Sequence, residues 1–473
     1  MPQLATVEIA PLDPQRFEEV LSSEQFSAFT QAIETARTLF DGRVVWNVNS
    51  TARGGGVAEM LQSLIAWARG AGVDARWVVI EGNPEFFAIT KRIHNNLHGA
   101  AGDGGELGER ERSVYESALQ GNLEELLPMV SPSDVVILHD PQTAGLVNSL
   151  ARTGATVVWR CHVGIDAPDD LARRAWKWLI PYVEEAGGYV FSRKDFAWEG
   201  LPEEKLTVIP PSIDAFSPKN QDLSGEAVAA ILAATGLAGG DASLARYTRP
   251  DGFTATVERT TNLFGTGRPP DDARLVVQVS RWDALKDPIG VIHGFADHVG
   301  DMPGVHLVVA GPAVDAVSDD PEGAEMLEKS RAAWEQLPDD VRASVHLATL
   351  PMDDGYENAA IVNALQRRAD IVVQKSLAEG FGLTVAEAMW KGRPVVASRI
   401  GGIQDQIVHG ETGLLIDDPA SSDEFGRALA RLLDDPAGAA EMGRAAQQRV
   451  RDHFLGPQHL MRYVELLGHL VTR

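Results

Sequence analysis

Short β-branched runs alternate along this chain with longer amphipathic stretches. That alternation is the strongest constraint on its fold, because strands separated by helices build a parallel sheet with helices on both faces. RVVWNVNS at 43–50 reads as a buried strand, and VAEMLQSLIAWARGAG at 57–72 as an amphipathic helix ending in glycine. DARWVVIEG, SDVVILHD, TVVWRCHVG, GGYVFS and LTVIPPSID continue the strand series, with helical segments such as DDLARRAWKWLIPYVEE between some of them. A second series begins near residue 274 with RLVVQVSRW, followed by VHLVVAGP, VHLATL, DIVVQKS, RPVVASRI and TGLLIDD. Two series of similar size predict two doubly wound, Rossmann-like domains in an α/β protein, and 473 residues are too many for one core. The Pro-, Ser- and Asp-rich PPSIDAFSPKN at 210–220 marks the joint, giving domains over 1–215 and 216–454. The less regular stretch 223–272 reads as an insertion in the second domain, and glycine-rich 99–109 as a mobile loop.

Forty-two Lys and Arg against 67 Asp and Glu leave a net charge of −25, which opposes binding to nucleic acid or an anionic membrane. The single cysteine, Cys161, excludes an intramolecular disulfide framework and a multi-cysteine metal site. The first residues lack a basic stretch before an apolar core, and no segment approaches the roughly 20 apolar residues of a membrane span, so a cytoplasmic protein is expected.

Three loops carry candidate chemistry. Between the first strand and its helix, Gly54, Gly55 and Gly56 let backbone N–H groups approach an anion at a helix N-terminus, in a spacing that is neither a P-loop nor G-x-G-x-x-G. After the first strand of the second series, Arg281 and Lys286 lie on one loop at a sheet's carboxyl end. Two cations there each contribute up to about 4 kcal/mol to a diphosphate at 4 Å and an effective dielectric near 20. After DIVVQKS, Glu379 and Glu387 flank Gly380, Phe381, Gly382, Leu383 and Thr384, with a helix expected from Leu383. The rise from 383 to 387 is roughly 6 Å, which spreads the two carboxylates along a ligand rather than on one atom. His162 follows TVVWRC at a strand's carboxyl end, and Cys161 is expected to point the opposite way, into the core. Trp176 and Trp178 are expected to serve packing. No D-x-D occurs, so a metal-bridged diphosphate is not expected.

Taken together and in order, the glycine run, His162, the Arg281/Lys286 pair and the E-x7-E stretch from Glu379 resemble the retaining glycosyltransferases of the GT-B fold, family 4 type, over nearly the whole chain. VVWNVNSTARGGGVAEML, GNPEFFAITKRIHNNLHG, VVWRCHVGID and VIPPSIDAFSPKN are similar to trehalose glycosyl-transferring synthases, and also resemble the related retaining trehalose phosphorylases. The resemblance implies two parallel sheets facing a central cleft, with a final helix at about 455–473 crossing back to the first domain. It implies that Gly55 and Gly56 offer amides to the donor phosphate, that Arg281 and Lys286 neutralise the departing diphosphate, and that His162 contacts the donor sugar. Glu379 and the amides of Gly380 to Leu383 would hold the donor glucose, Glu387 the ribose, and Asn83 and Lys91 would belong to the acceptor pocket. The expected reaction moves glucose from an NDP-glucose co-substrate to free glucose to give trehalose, with no essential metal or other cofactor. No nucleic-acid or membrane partner is expected, and a homodimer stays open. The alternatives are a phosphorylase using glucose 1-phosphate, an NDP-sugar epimerase, and a non-catalytic nucleotide-sugar sensor.

Overall fold

The computed structural model describes residues 4–52, 55–265, 267–314 and 321–472. The chain divides into two compact units, Met1–Ser212 with Phe454–Arg473, and Ile213–His453.

The strands of the first unit are β1 (Leu4–Val7), β2 (Val44–Asn49), β3 (Asp74–Ile80), β4 (Val135–His139), β5 (Thr156–Cys161), β6 (Gly188–Phe191) and β7 (Leu206–Val208). They form one sheet in the order β1-β3-β2-β4-β5-β6-β7, parallel except for β1. Both faces are covered. Trp46 and Val48 pack with Val136, Leu138, Val157 and Trp159, whereas Val45 packs with Ile137, Val158 and Val190 under the helices Ser23–Leu39 and Gly456–Val471. Buried Arg160 binds that last helix to the sheet, donating to His459 Nε2 at 3.0 Å, Tyr463 Oη at 2.7 Å and Ile209 O at 3.2 Å.

The second unit contains a small hairpin, β8 (Arg246–Thr248) with β9 (Thr254–Thr256), and a sheet of β10 (Asn262–Phe264), β11 (Arg274–Val279), β12 (Val305–Pro312), β13 (Val345–Leu350), β14 (Ile371–Gln374), β15 (Val395–Ser398) and β16 (Leu414–Ile416). The order is β10-β13-β12-β11-β14-β15-β16, again parallel but for its edge strand β10. The fold class is therefore α/β with two parallel-dominated sheets.

Three details depart from the sequence expectations. Each sheet carries an antiparallel edge strand of three or four residues, too short for its periodicity to be read. The stretch 223–272 is built of a helix, Gly225–Thr235, the hairpin and β10. The 99–109 loop is anchored: Arg92 forms a two-pronged ion pair with Asp103 at 2.6 and 2.8 Å and donates to Glu106 O. Trp176 and Trp178 are both buried, as packing residues should be.

Candidate active site

In a doubly wound sheet, the carboxyl ends of the two strands where chain order reverses open a crevice. In the second unit these are β11 and β14, so the loops 280–287 and 375–382 lie side by side. Their backbones are tied by Leu377 N–H donating to Leu285 O at 2.7 Å. Lys286 Nζ donates to Glu379 Oε2 at 2.5 Å, with the two side chains only 15% and 14% exposed. Ser376 Oγ donates to the same carboxylate oxygen at 3.4 Å. Arg281 is 69% exposed and pairs with Asp283 at 3.0 Å, while the other Asp283 oxygen accepts from Leu285 N–H. The structure thus brings Lys286 and Glu379 into contact, whereas Arg281 stands on the same loop with its own acidic partner.

Behind this pair lies a second one that the sequence reading missed. Asp287 adopts φ +47° at the start of the helix Pro288–His298, accepts from Gly290 N–H at 3.0 Å and is ion-paired with Lys375. The Lys375 side chain is fully buried and also donates to Pro419 O at 2.8 Å. This pair clamps the loop of Lys286 onto the loop of Glu379. The signal was a lysine directly after an apolar strand run, where a buried cation must find a partner.

Gly382, at φ +79°, opens the helix Leu383–Trp390 without a side-chain cap, and Gly55, at φ +80°, opens Gly56–Gly70 likewise. Elsewhere Ser22, Ser224 and Ser421 cap their helices with a hydroxyl. At both glycine-opened helices the first N–H groups are therefore not claimed by a capping side chain, which is what an anion site requires. Gly54 lies outside the described residues. Phe381 is buried, so it offers the crevice its backbone only, and Gly380, Leu383 and Thr384 are partly buried. Glu387 is buried one turn into the helix and faces Lys219 at 3.6 Å. Lys219 was read only as part of the joint between domains. The neighbouring Asn220 fixes it there, accepting from Trp390 Nε1 at 3.0 Å and Lys391 Nζ at 3.0 Å.

In the first unit the order reverses at β2 and β4. His162, beyond β5, is partly exposed, and its Nε2 stands 3.2 Å from His139 Nδ1. Its N–H donates to Asp140 Oδ1 at 2.7 Å. Asp140 sits at φ +65°, a strained conformation for a residue with a side chain. His139 and Asp140 were not singled out from sequence, although both stand at the end of an apolar strand run, as His162 does. Burial, reinforced by the Arg160 charge, holds His139 down to about 3 and His162 well below the usual imidazole range, so both rings are neutral at pH 7. Cys161 is buried with its Sγ toward Val163 O at 3.2 Å, and burial pushes its thiol up, away from reactivity. The side-chain oxygen of Asn83 caps the helix Pro84–Leu97 through Phe86 N–H at 2.8 Å. Lys91 is exposed on that helix.

Burial raises the Asp140 carboxyl to about 6 against an ordinary value near 4. Between those values the unfolded chain ionises and the folded one does not, so folding loses stability as pH rises, by at most about 3 kcal/mol, and the loss is complete above pH 6. Asp140→Asn keeps an oxygen for the His162 N–H. Urea unfolding at pH 4 and pH 7.5 should therefore show wild type losing more stability than the variant over that interval, and equal losses would refute the shift.

Residues 47–198 match the family model for the trehalose synthase N-terminal domain, and residues 260–449 match that for glycosyl transferases group 1. A trehalose synthase of Pyrococcus horikoshii is 34% identical over 455 residues, spanning 96% of this chain and 95% of that protein. A trehalose synthase of Rubrobacter xylanophilus is 36% identical over 433 residues, 91% of each chain. A trehalose phosphorylase of Pleurotus pulmonarius is more distant, 26% identical over 78% of this chain and 49% of its own. Among solved structures, an α,α-trehalose-phosphate synthase (UDP-forming) from Burkholderia vietnamiensis superposes with a TM-score of 0.64 at 15% identity, covering 90% of this chain and 96% of that one, a likeness of fold. Fold and matches together define a glycosyltransferase of the GT-B class. The chain belongs to the trehalose synthase family.

Proposed function

We propose that this enzyme transfers glucose from a nucleoside-diphosphate glucose to free glucose, with retention at the anomeric carbon, to give trehalose and the nucleoside diphosphate. The observation that carries the reading is the crevice at β11 and β14. One loop supplies Arg281 and Lys286, and the facing loop supplies Glu379, an uncapped helix start at Gly382 and, one turn on, Glu387. Cations and free amides suit a diphosphate, and carboxylates spaced along the helix suit the hydroxyls of the sugar and the ribose.

In the reaction, the bond from the sugar C1 to the β-phosphate oxygen lengthens while Lys286 and Arg281 stabilise the charge gathering on that oxygen. The acceptor hydroxyl forms the new C1–O bond on the face the phosphate leaves and gives its proton to the departing phosphate oxygen, so configuration is kept. Glu379 acts as a hydrogen-bond acceptor for the sugar rather than as a nucleophile. A retaining glycosidase pair needs carboxyls about 5–5.5 Å apart across one bond, and the partner of Glu379 is Lys286.

The test is product analysis with glucose and a panel of NDP-glucoses, set against glucose 1-phosphate. Trehalose from an NDP-glucose supports the reading. Trehalose from glucose 1-phosphate alone makes the enzyme a phosphorylase, and donor turnover without a second sugar makes it an epimerase or hydrolase. Because the leaving charge rests on side chains, excess EDTA should leave the rate within about twofold, against the several kcal/mol that a catalytic metal contributes. Loss of activity restored by magnesium would contradict this.

A further inference from the structure

His139 takes no direct part in the proposed reaction, yet it stands between two groups that decide what His162 can bind. β2, β4 and β5 are neighbours in the sheet, and Asn47, His139 and His162 run diagonally across its carboxyl end, each two residues further along than its neighbour, since Asn47 is in register with Ile137 and His139 with Arg160. His139 Nε2 lies 3.2 Å from Asn47 Oδ1, and His139 Nδ1 lies 3.2 Å from His162 Nε2, with the imidazole centroids 5.5 Å apart and the rings 15° from parallel, edge to edge as an in-plane hydrogen bond requires. Asn47 and His139 are 7% and 2% exposed.

An amide oxygen only accepts, so the proton of a neutral His139 is on Nε2 and its Nδ1 is a lone pair. That lone pair takes the proton of His162 Nε2, and the Nδ1 of a neutral His162 is then a lone pair as well. Among the described residues this atom has no protein hydrogen-bond partner. The backbone under the ring is held by Asp140, which accepts the His162 N–H at 2.7 Å. We infer that His139, oriented by Asn47, is a positioning residue that locks His162 in its Nε2–H tautomer, so that His162 accepts a hydrogen bond from a neutral sugar hydroxyl and rejects a phosphate or carboxylate at that position.

The inference rests on the reading of His162 as a sugar contact, but its first test is independent of turnover. In the full chain labelled with ¹⁵N-histidine, the His162 resonances, identified by their loss in His162→Asn, should show a protonated, pyrrole-type Nε2 and a pyridine-type Nδ1 at pH 7. His139→Phe keeps an aromatic ring without nitrogens and should give mixed tautomers at His162, together with a fall in kcat/KM for the sugar donor of about tenfold, the order of one hydrogen bond. His139→Gln restores an amide oxygen for the Nε2–H and should recover both signals. Should His139→Phe fail to fold, Asn47→Leu reads the same loss of tautomer with the His139 ring in place. A wild-type His162 protonated on Nδ1, or an unchanged tautomer and kcat/KM in the variants, would overturn the inference. An enzyme that makes no trehalose from any NDP-glucose but keeps the Nε2–H tautomer would instead overturn the proposed function.

Discussion

Lys286→Ala is expected to lower turnover by about 10³-fold, the scale of removing one preorganised donor to a developing negative charge in a shielded site. The structure adds a second consequence that has to be separated from the first. Glu379 accepts from Lys286 at 2.5 Å in a largely buried setting, so the single variant strands a carboxylate. Breaking a buried ion pair from one side costs about 3–5 kcal/mol, and the 15% and 14% exposure of the two side chains places the cost toward or below the lower figure. Some of the activity loss could then be misread as unfolding. Lys286→Ala combined with Glu379→Gln removes the stranded charge, so thermal stability should largely return while turnover stays low. A double variant that turns over near the wild-type rate would remove the catalytic role assigned to Lys286. Arg281→Ala should cost turnover with little change in stability, because Arg281 is 69% exposed and its pair with Asp283 lies at the surface.

Gly401→Ala is the second large effect expected, and it acts at a distance from the ligand. Gly401 has φ +46°, and a Cβ there would stand 2.0 Å from Glu379 O and 2.8 Å from Gly380 O. The obstruction is backbone, so no rotamer change relieves it, and the 379–380 segment has to move. Overpacking of this kind costs about 1–3 kcal/mol of stability. A displacement near 1 Å at a group that orients substrate costs about 10²-fold in rate. Gly410→Ala is the control, since Gly410 has φ +83° with nothing within 4 Å of a built Cβ. It should show backbone strain in thermal melts while donor turnover stays close to wild type. Equal kinetic losses in the two variants would show that positive φ alone, not the contact with Glu379, sets the effect.

The strand and helix series were legible because parallel strands covered on both faces are continuous β-branched runs, as in VVILH of β4 and RLVVQV of β11. The loops after β2, β11 and β14 were legible as strand-to-helix connections because glycine and charged residues there end continuous apolar runs. Strand order is what alternation does not encode. Lys375 and Asp287 are 88 residues apart, and Lys286 and Glu379 are 93 apart. They meet only because β11 and β14 are neighbours in the sheet. The contact of Lys219 with Glu387 depends in the same way on where the segment after residue 212 returns to the sheet. Asn83 has a structural use that its position in front of Pro84 already signals, capping the helix through Phe86 N–H. His139 gave no signal of its own, since one histidine at a strand end is unremarkable until a second is placed 3.2 Å from it.

The most direct measurement is the location of the diphosphate in a crystal of the enzyme with a bound NDP-glucose. Phosphate oxygens about 3 Å from Lys286 Nζ and from the Arg281 guanidinium are the predicted result. A pyrophosphoryl group held elsewhere, or bridged to the protein by a divalent cation with both side chains turned away, would contradict the account.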